Sequence, residues 1–270
     1  MRGTILYKPV VPVRPAARYI GGKKQLAKTI IGLIAKIPHE TYAEPFVGMG
    51  GVFLRRRLVP RGEIINDRSG DVATFFRILQ RHYVPFMDML RWQFTGRQEF
   101  ERLKASDPST LTDLERAARF LYLQRTAFGG KVAGRNFGVD PLGGRFNVTK
   151  LMPILDELHE RLAGVVVECL PWEDFIARYD RPTTLFYLDP PYWGGEKDYG
   201  AGLFERAEYA RMADVLRRLR GRFILSINDL PEIRRTFAGF ALKPVRLTYT
   251  ISDSKNAVPA RELIITKPTR

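Results

Sequence analysis

The chain is short of the residues that would support several kinds of chemistry. Its 270 residues include one cysteine, Cys169, so it can form neither an internal disulfide nor a cysteine-based zinc site. The thiol falls in the apolar run Val165–Leu170, where a buried structural cysteine is expected. The three histidines, His39, His82 and His159, stand apart without ligand spacing. They read as surface or helix-end residues, and no metal cofactor is expected. No apolar run approaches the ~18–20 residues of a membrane span. The segment from Met1 to Ala17 is basic, carries Pro9, Pro12 and Pro15, and has no continuous apolar stretch of the secretory kind. It is expected to be a flexible basic arm, and the protein to be cytoplasmic and associated with the nucleoid, away from membranes. Acidic residues are also scarce, 29 against 44 Lys+Arg, which leaves a net charge of +15 and a pI near 10.1. That imbalance favours a polyanionic partner, nucleic acid before an anionic membrane.

Hydrophobic residues make up 45% of the chain, enough for one large domain or a domain with a sizeable insertion. Helical spacing over Lys24–Ile37 ends at Pro38. Short strands are expected at Thr41–Phe46 and Glu63–Asn66, with a helix near Val52–Leu58 between them, which forms one βαβ unit. From about Gly70 to Phe128 only helices are indicated: Asp71–Gln80, Gln98–Ala105 and Leu111–Phe128. A glycine-rich stretch with loop or hairpin chemistry follows, from Gly129 to Gly144, with Asn136, Asp140 and Pro141 within it. After a helix at Lys150–Leu162, strands resume at Val165–Leu170, Thr184–Leu188, Phe223–Ile227, Leu242–Thr250 and Glu262–Thr266. Helices at Trp172–Tyr179 and Glu205–Arg220 lie among them. An α/β body therefore brackets a helical block with a basic, glycine-rich tip. The division expected is an arm at 1–17, an α/β domain at 18–70 and 160–270, and an inserted, mainly helical domain at 71–159.

The segment Tyr187-Leu-Asp-Pro-Pro-Tyr-Trp193 is the most informative in the chain. Two consecutive prolines remove amide donors and fix φ, so a buried strand must stop at Asp189. A carboxylate, a stiff turn and two aromatic rings are left at its carboxyl edge, where ligands of open α/β sheets bind. A carboxylate that accepts from an amino group, beside a flat ring, suits a planar amino-bearing heterocycle such as a nucleobase.

Three further segments point to a nucleoside ligand. The first strand runs into Ala43-Glu-Pro-Phe-Val-Gly-Met-Gly-Gly51, and glycines in such a turn let backbone approach a ligand. The dinucleotide pattern fails because Phe53 occupies the third glycine position. A P-loop fails because Gly22-Lys23 is followed by Lys24. Asp67, at the end of the second strand about 20 residues on, stands where a ribose hydroxyl is gripped. The alternative reading of Asp67 is a helix N-cap. Gly21-Gly22-Lys23 ahead of a helix would favour a carboxylate. S-adenosylmethionine has an adenosine, a carboxylate and no phosphate, and fits all three.

In this order, Tyr19-Ile-Gly-Gly-Lys23, Glu44-Pro-Phe-Val-Gly-Met-Gly50, Asn66-Asp67 and Asp189-Pro-Pro-Tyr192 resemble the D12 class of DNA adenine-N6 methyltransferases, the family of the bacterial Dam enzymes. Weaker echoes are Leu225-Ser-Ile-Asn-Asp229 and Arg261-Glu-Leu-Ile-Ile265. Tyr19 replaces the family's frequent tryptophan. The resemblance implies an α/β, Rossmann-like S-adenosylmethionine-dependent methyltransferase fold with an inserted, mainly helical target-recognition domain. It implies that Tyr19, Lys23, Phe46, Gly48, Gly50, Asp67 and Asp189 line the cofactor site. It also implies that Asp189, Pro190, Pro191 and Tyr192 hold the target base.

The expected activity is site-specific methylation of adenine N6 in duplex DNA, after the base is flipped out of the helix. Methylation of adenine in RNA, methylation of cytosine N4, and a catalytically silent DNA-binding protein are the alternatives. In the glycine-rich tip and its flanks Arg125, Lys131, Arg135, Arg145 and Lys150 are the candidate DNA contacts, with Phe128, Phe137 and Phe146 interleaved. Arg145 stands where Dam-like enzymes often carry glutamate, so their target sequence is not implied. A second basic cluster, Arg217, Arg218, Arg220 and Arg222, reads as a solvated face. No obligate protein partner is indicated.

Overall fold

In the computed structural model the described residues are 7–19, 21, 23, 25–138, 143–199, 202–250 and 257–268. The expectations that rest on Ile20, Gly22, Lys24, Asp140 and Pro141 lie outside them. Nine strands are described: β1 (Lys8–Pro9), β2 (Thr41–Glu44), β3 (Leu58–Val59), β4 (Gly62–Asn66), β5 (Val166–Glu168), β6 (Thr184–Leu188), β7 (Arg222–Asn228), β8 (Ala241–Thr250) and β9 (Ala257–Thr266). The described helices are α1 (Ala27–Ile34), α2 (Gly70–Arg81), α3 (Tyr83–Arg91), α4 (Arg97–Ala105), α5 (Asp113–Thr126), α6 (Val148–Arg161), α7 (Trp172–Tyr179), α8 (Glu208–Arg218) and α9 (Pro231–Thr236).

Seven strands form one mixed sheet in the order β5-β4-β2-β6-β7-β9-β8. The first five run parallel, and β9 is antiparallel to both of its neighbours. The chain moves outward from β2 to β4 and β5, then returns to the other side of β2 with β6. The topological switch point therefore lies between β2 and β6, and a crevice opens beyond their carboxyl ends.

Alternation along the strands divides the sheet into two faces. Tyr42, Ile65, Leu185, Tyr187, Ile224 and Ile264 point into one apolar cluster, with α1, α2, α5 and α6. Ala43, Ile64, Phe186, Leu188, Phe223 and Leu225 point into the other, with α7, α8 and α9. Each fully buried large apolar side chain contributes roughly 1.5–3 kcal/mol. The first cluster runs without a break from the sheet into Phe75, Phe86, Phe100 and Phe120 of the helical block. The block thus shares its core with the sheet, and α2 packs on both α5 and α6. A capping box starts α5, with Thr112 and Glu115 satisfying each other's backbone amides. Asn147 caps α6 by accepting from the Lys150 amide at 3.0 Å.

Several expectations change. Residues 7–17, read as a flexible arm, are tied to the body. β1 pairs with β3, the Val13 amide bonds the Leu54 carbonyl at 2.9 Å, and Val13 and Ala16 are buried. The helix expected near Val52–Leu58 is a single turn, Phe53–Arg55. It stops where Arg56 turns extended and buries its guanidinium against Glu63 at 2.7 Å. His39 is buried rather than on the surface, packed against Tyr7 and Tyr42 with Nδ1 2.6 Å from the Ile37 carbonyl. Loss of solvent lowers its pKa to about 4. Cys169 is exposed rather than buried, just past the end of the edge strand β5. Among the described residues no helix is long and apolar enough to cross a membrane.

Candidate active site at the switch point

Glu44 ends β2, Asp67 follows β4, Asp189 follows β6 and Asn228 ends β7, so parallel pairing brings all four to the same edge of the sheet. A cavity of about 1400 Å³ opens there. Its wall includes Tyr19, Lys23, Phe46, Gly48, Asp67 and Asp189, six of the seven residues expected around a cofactor. The seventh, Gly50, faces the core. A Cβ there would meet Leu54 at 2.8 Å, so this glycine serves turn geometry and packing. Gly48 has φ of +50°, and the Tyr19 ring lies 3.0 Å from where its Cβ would stand. Only glycine lets that ring close over the turn.

Asp189 is held by one oxygen. Lys23 Nζ lies 2.8 Å from Oδ1, and the Ser226 hydroxyl donates to the same atom at 3.1 Å. Ser226 is in turn 2.8 Å from the Tyr187 hydroxyl. Lys23 is buried, donates to the Tyr192 hydroxyl at 2.5 Å and to the Gly21 carbonyl at 3.2 Å, and lies 3.9 Å from Glu262. It also sits over the Tyr192 ring, 4.3 Å from the centroid. Burial raises the Asp189 pKa to about 6 despite the attraction of Lys23, and the Glu262 charge adds to the rise. The turn after Asp189 is rigid. Asn228 clamps Trp193 with two bonds of 3.0 Å to its amide and carbonyl, and the buried Tyr209 hydroxyl donates to the Pro191 carbonyl at 2.9 Å. Pro190 and Pro191 are buried, and Pro191 lines the cavity.

Asp67 accepts the Gly48 amide on one oxygen and the Ser69 amide on the other, both at 2.9 Å. It therefore fixes the glycine turn and the entry to α2 at once. Burial raises its pKa to about 6. Beside it, Asn66 ties the Pro45 carbonyl to the backbone of Leu170. Glu44 was not singled out by the sequence, yet its buried carboxyl lines the cavity and accepts from Tyr42 at 2.7 Å. Burial pushes it up to about 8. The available signal was an acid at the end of an apolar strand, directly before Pro45.

The expected DNA contacts divide. Arg125 and Lys150 line the same cavity. Arg125 donates to the Ala16 carbonyl at 2.5 Å, and burial lowers its pKa. Arg135 is likewise drawn inward, toward the Lys131 carbonyl and Gln124. Arg145 bonds the Ala127 carbonyl and lies over the Phe128 ring. Lys131 and Lys150 are exposed. The tip is hairpin-like, with Ala127 bridged to Phe137 and the Phe128 amide bonded to the Asn136 carbonyl. Sequence reading missed Arg14, Arg55 and Arg68, which join Arg18 and Arg125 around the cavity. The cluster Arg217–Arg222 is exposed at the start of β7, at the opposite edge of the sheet from Asp189. Among the described residues no group of three or more His, Cys, Asp or Glu is arranged to hold a metal ion.

Known proteins share this chain's pattern almost throughout. A type II methyltransferase of Lactococcus lactis subsp. cremoris, M1.LlaDCHI, is 23% identical over 97% of this chain and 98% of its own length. The DNA adenine methylase of Escherichia coli K12 is 26% identical over 89% and 90%. M.CviBI, a type II methyltransferase of a Paramecium bursaria Chlorella virus, is 21% identical over 84% and 88%. The family described as D12 class N6 adenine-specific DNA methyltransferase matches residues 19–251, a span holding the glycine turn, the switch-point cavity and the Asp189 turn. With its seven-stranded α/β sheet of Rossmann type, the chain belongs to the D12 class of adenine-specific DNA methyltransferases.

Proposed function

We propose that the switch-point cavity takes S-adenosylmethionine and a flipped adenine together, and that Asp189 presents the adenine N6 amino group for methylation. The observation that carries this reading is the asymmetry of Asp189. Lys23 and Ser226 occupy Oδ1, while Oδ2 has no bond to a described residue and the side chain reaches the cavity wall.

The residues present suit the cofactor. Tyr19, seated on Gly48, and Phe46 offer flat walls to an adenosine. Asp67, anchored by two amides, has lone pairs left for ribose hydroxyls. Lys23, in the cavity wall, provides positive charge for a carboxylate. When bound, S-adenosylmethionine supplies an electrophilic methyl group on a sulfonium.

The chain's own residues do the rest. Adenine N6 is a weak nucleophile because its lone pair is delocalised into the ring. Asp189 Oδ2 and the Pro190 carbonyl each accept a hydrogen bond from one N6–H, which draws the nitrogen toward tetrahedral geometry and localises the pair. As the C–N bond replaces the C–S bond, the one N6 proton in excess passes by way of Asp189 to solvent. Lys23 keeps Asp189 charged and oriented, and the Asn228 clamp holds the proline turn in place. Such catalysis is positioning and electrostatic preorganisation. Tyr192 stacks on the extruded base. The helical block with its tip contacts the duplex, and the arginines around the cavity take the phosphates beside the flipped nucleotide. The protein works in the cytoplasm on nucleoid DNA.

Incubation with isotopically labelled S-adenosylmethionine and mixed-sequence duplex DNA, with structured RNA in parallel, followed by nucleoside mass spectrometry, tests this reading. Labelled N6-methyladenine in DNA alone supports it. Label in RNA or on cytosine N4 overturns the assignment of substrate.

A further inference from the structure

The helical block exposes two large rings two residues apart. Trp92 is 82% and Phe94 is 66% exposed, in the loop between α3 and α4. Isolated apolar side chains on a surface are ordinary. This loop differs because it is built to hold them. The buried Tyr122 hydroxyl donates toward the Phe94 and Gly96 carbonyls, at 3.0 and 3.2 Å, and accepts the Gly96 amide at 3.1 Å. Thr95 Oγ1 donates to the Phe146 carbonyl and accepts its amide, both at 3.2 Å. A side chain at Gly96 would meet the Phe94 ring at 2.8 Å, and one at Gly144 would meet Thr95 at 2.7 Å. The loop is thereby fastened to the glycine-rich tip, and the rings face solvent on a rigid support. Ordering cost has already been met before any partner arrives.

Position and charge indicate the partner. Phe146, to which the loop is bonded, lies just ahead of α6, whose first turn carries Lys150 to the cavity wall. Arg145 immediately precedes Phe146, and the exposed residues Arg91 and Arg97 stand on either side of the loop, Arg91 beside Asp88 and Arg97 with its guanidinium over the Phe137 ring. Asp88 offsets Arg91 at 3.4 Å and Glu99 bonds Arg102 at 2.6 Å, and Arg97 carries positive charge next to the rings. We infer that Trp92 and Phe94 pack against sugar and base edges in a groove of duplex DNA flanking the target. They form an apolar contact separate from the phosphate contacts around the cavity. The inference rests on the proposed reading of the cavity for which stretch of DNA is the target. Its test reads binding rather than methylation, so the two can fail separately.

The test compares wild-type protein with Trp92→Ala/Phe94→Ala on two duplexes, one covering little more than the target region and one extended on both sides. Because both rings are exposed, the variant should melt with the wild type. On the long duplex its Kd should rise about tenfold, as loss of one or two aromatic contacts gives. The salt dependence of binding should keep its slope, because no phosphate contact is removed. On the short duplex the two proteins should bind alike. Quenching of Trp92 fluorescence by the long duplex, absent in Trp92→Phe, is expected as well. Equal affinity of wild type and variant on both lengths overturns the inference, as does an equal loss on both. Wild-type self-association abolished in the variant also overturns it, since the rings would then serve a second copy of the chain. Wild-type protein that binds DNA but transfers no methyl group contradicts the reading of the cavity and leaves the length comparison decisive for the loop.

Discussion

Lys23 and Asp189 lie 166 positions apart in sequence and meet at 2.8 Å in the wall of the switch-point cavity. The lysine is buried, and a second buried carboxylate, Glu262, stands 3.9 Å from its other side. One positive charge therefore lies beside two acids, and its removal takes that charge from both. Lys23→Met is expected to cost on the order of 3–5 kcal/mol, the usual penalty for stranding a buried charge. Denaturant unfolding checks this. A Lys23→Met/Glu262→Gln double variant should recover part of the loss.

The same triad sets a pH dependence. Asp189 accepts the amine only when ionised, and its pKa lies near 6. Methyl transfer under single-turnover conditions should fall as pH drops through about 6. Glu262 contributes to raising that value, so Glu262→Gln should move the acid limb to lower pH. Lys23 lowers it, and a folded Lys23 variant should move the limb to higher pH. An acid limb unmoved in Glu262→Gln contradicts the coupling.

Glu44 makes a separate expectation about stability. Its pKa rises from the ordinary 4.5 to about 8 in the folded protein. The folded state then holds a proton that the unfolded chain has released, so this group's contribution declines as pH rises from about 4.5 to about 8. Glu44→Gln removes the titrating group, and the melting temperature should fall less steeply across that window. Parallel curves for the two proteins contradict the account.

The two left-handed glycines of the turn should respond differently. Gly48→Ala brings about 1–2 kcal/mol of left-handed strain and pushes on Tyr19. It should raise the Kd for S-adenosylmethionine roughly tenfold. Gly50→Ala carries similar strain and presses on Leu54, in the core. It should lower the melting temperature while the folded fraction binds the cofactor normally. Calorimetric titration of both variants separates the cases.

Much of this site was legible because local chemistry determines it. The double proline after an apolar run fixes where β6 stops, and parallel pairing then carries Asp189 to the ligand edge. The glycine turn and Asp67 follow from the same logic. Features that depend on distant partners were not legible. His39 is buried beside Tyr7, 32 positions back, Glu44 ends a strand enclosed between β4 and β6, and Cys169 is exposed just past an edge strand. Gly48 and Gly50 look alike in sequence, and only Tyr19 above one and Leu54 above the other tell them apart. Pro85 near the start of α3 and the six-residue length of α9 hid both helices from periodicity. The basic tip read as a set of exposed contacts, yet Arg125 and Arg135 turn inward to bond the backbone and Gln124.

The most direct test is single-turnover methyl transfer to duplex DNA by wild-type protein and Asp189→Asn, with DNA and S-adenosylmethionine binding measured on the same preparations. Asparagine keeps the shape and removes the charge that draws the N6 protons. Transfer should fall by at least about 10²–10³, the loss typical of removing one preorganised group, while DNA affinity stays within about tenfold because phosphate contacts dominate it. Transfer near the wild-type rate, or a loss matched by an equal loss of DNA binding, would contradict the role assigned to Asp189.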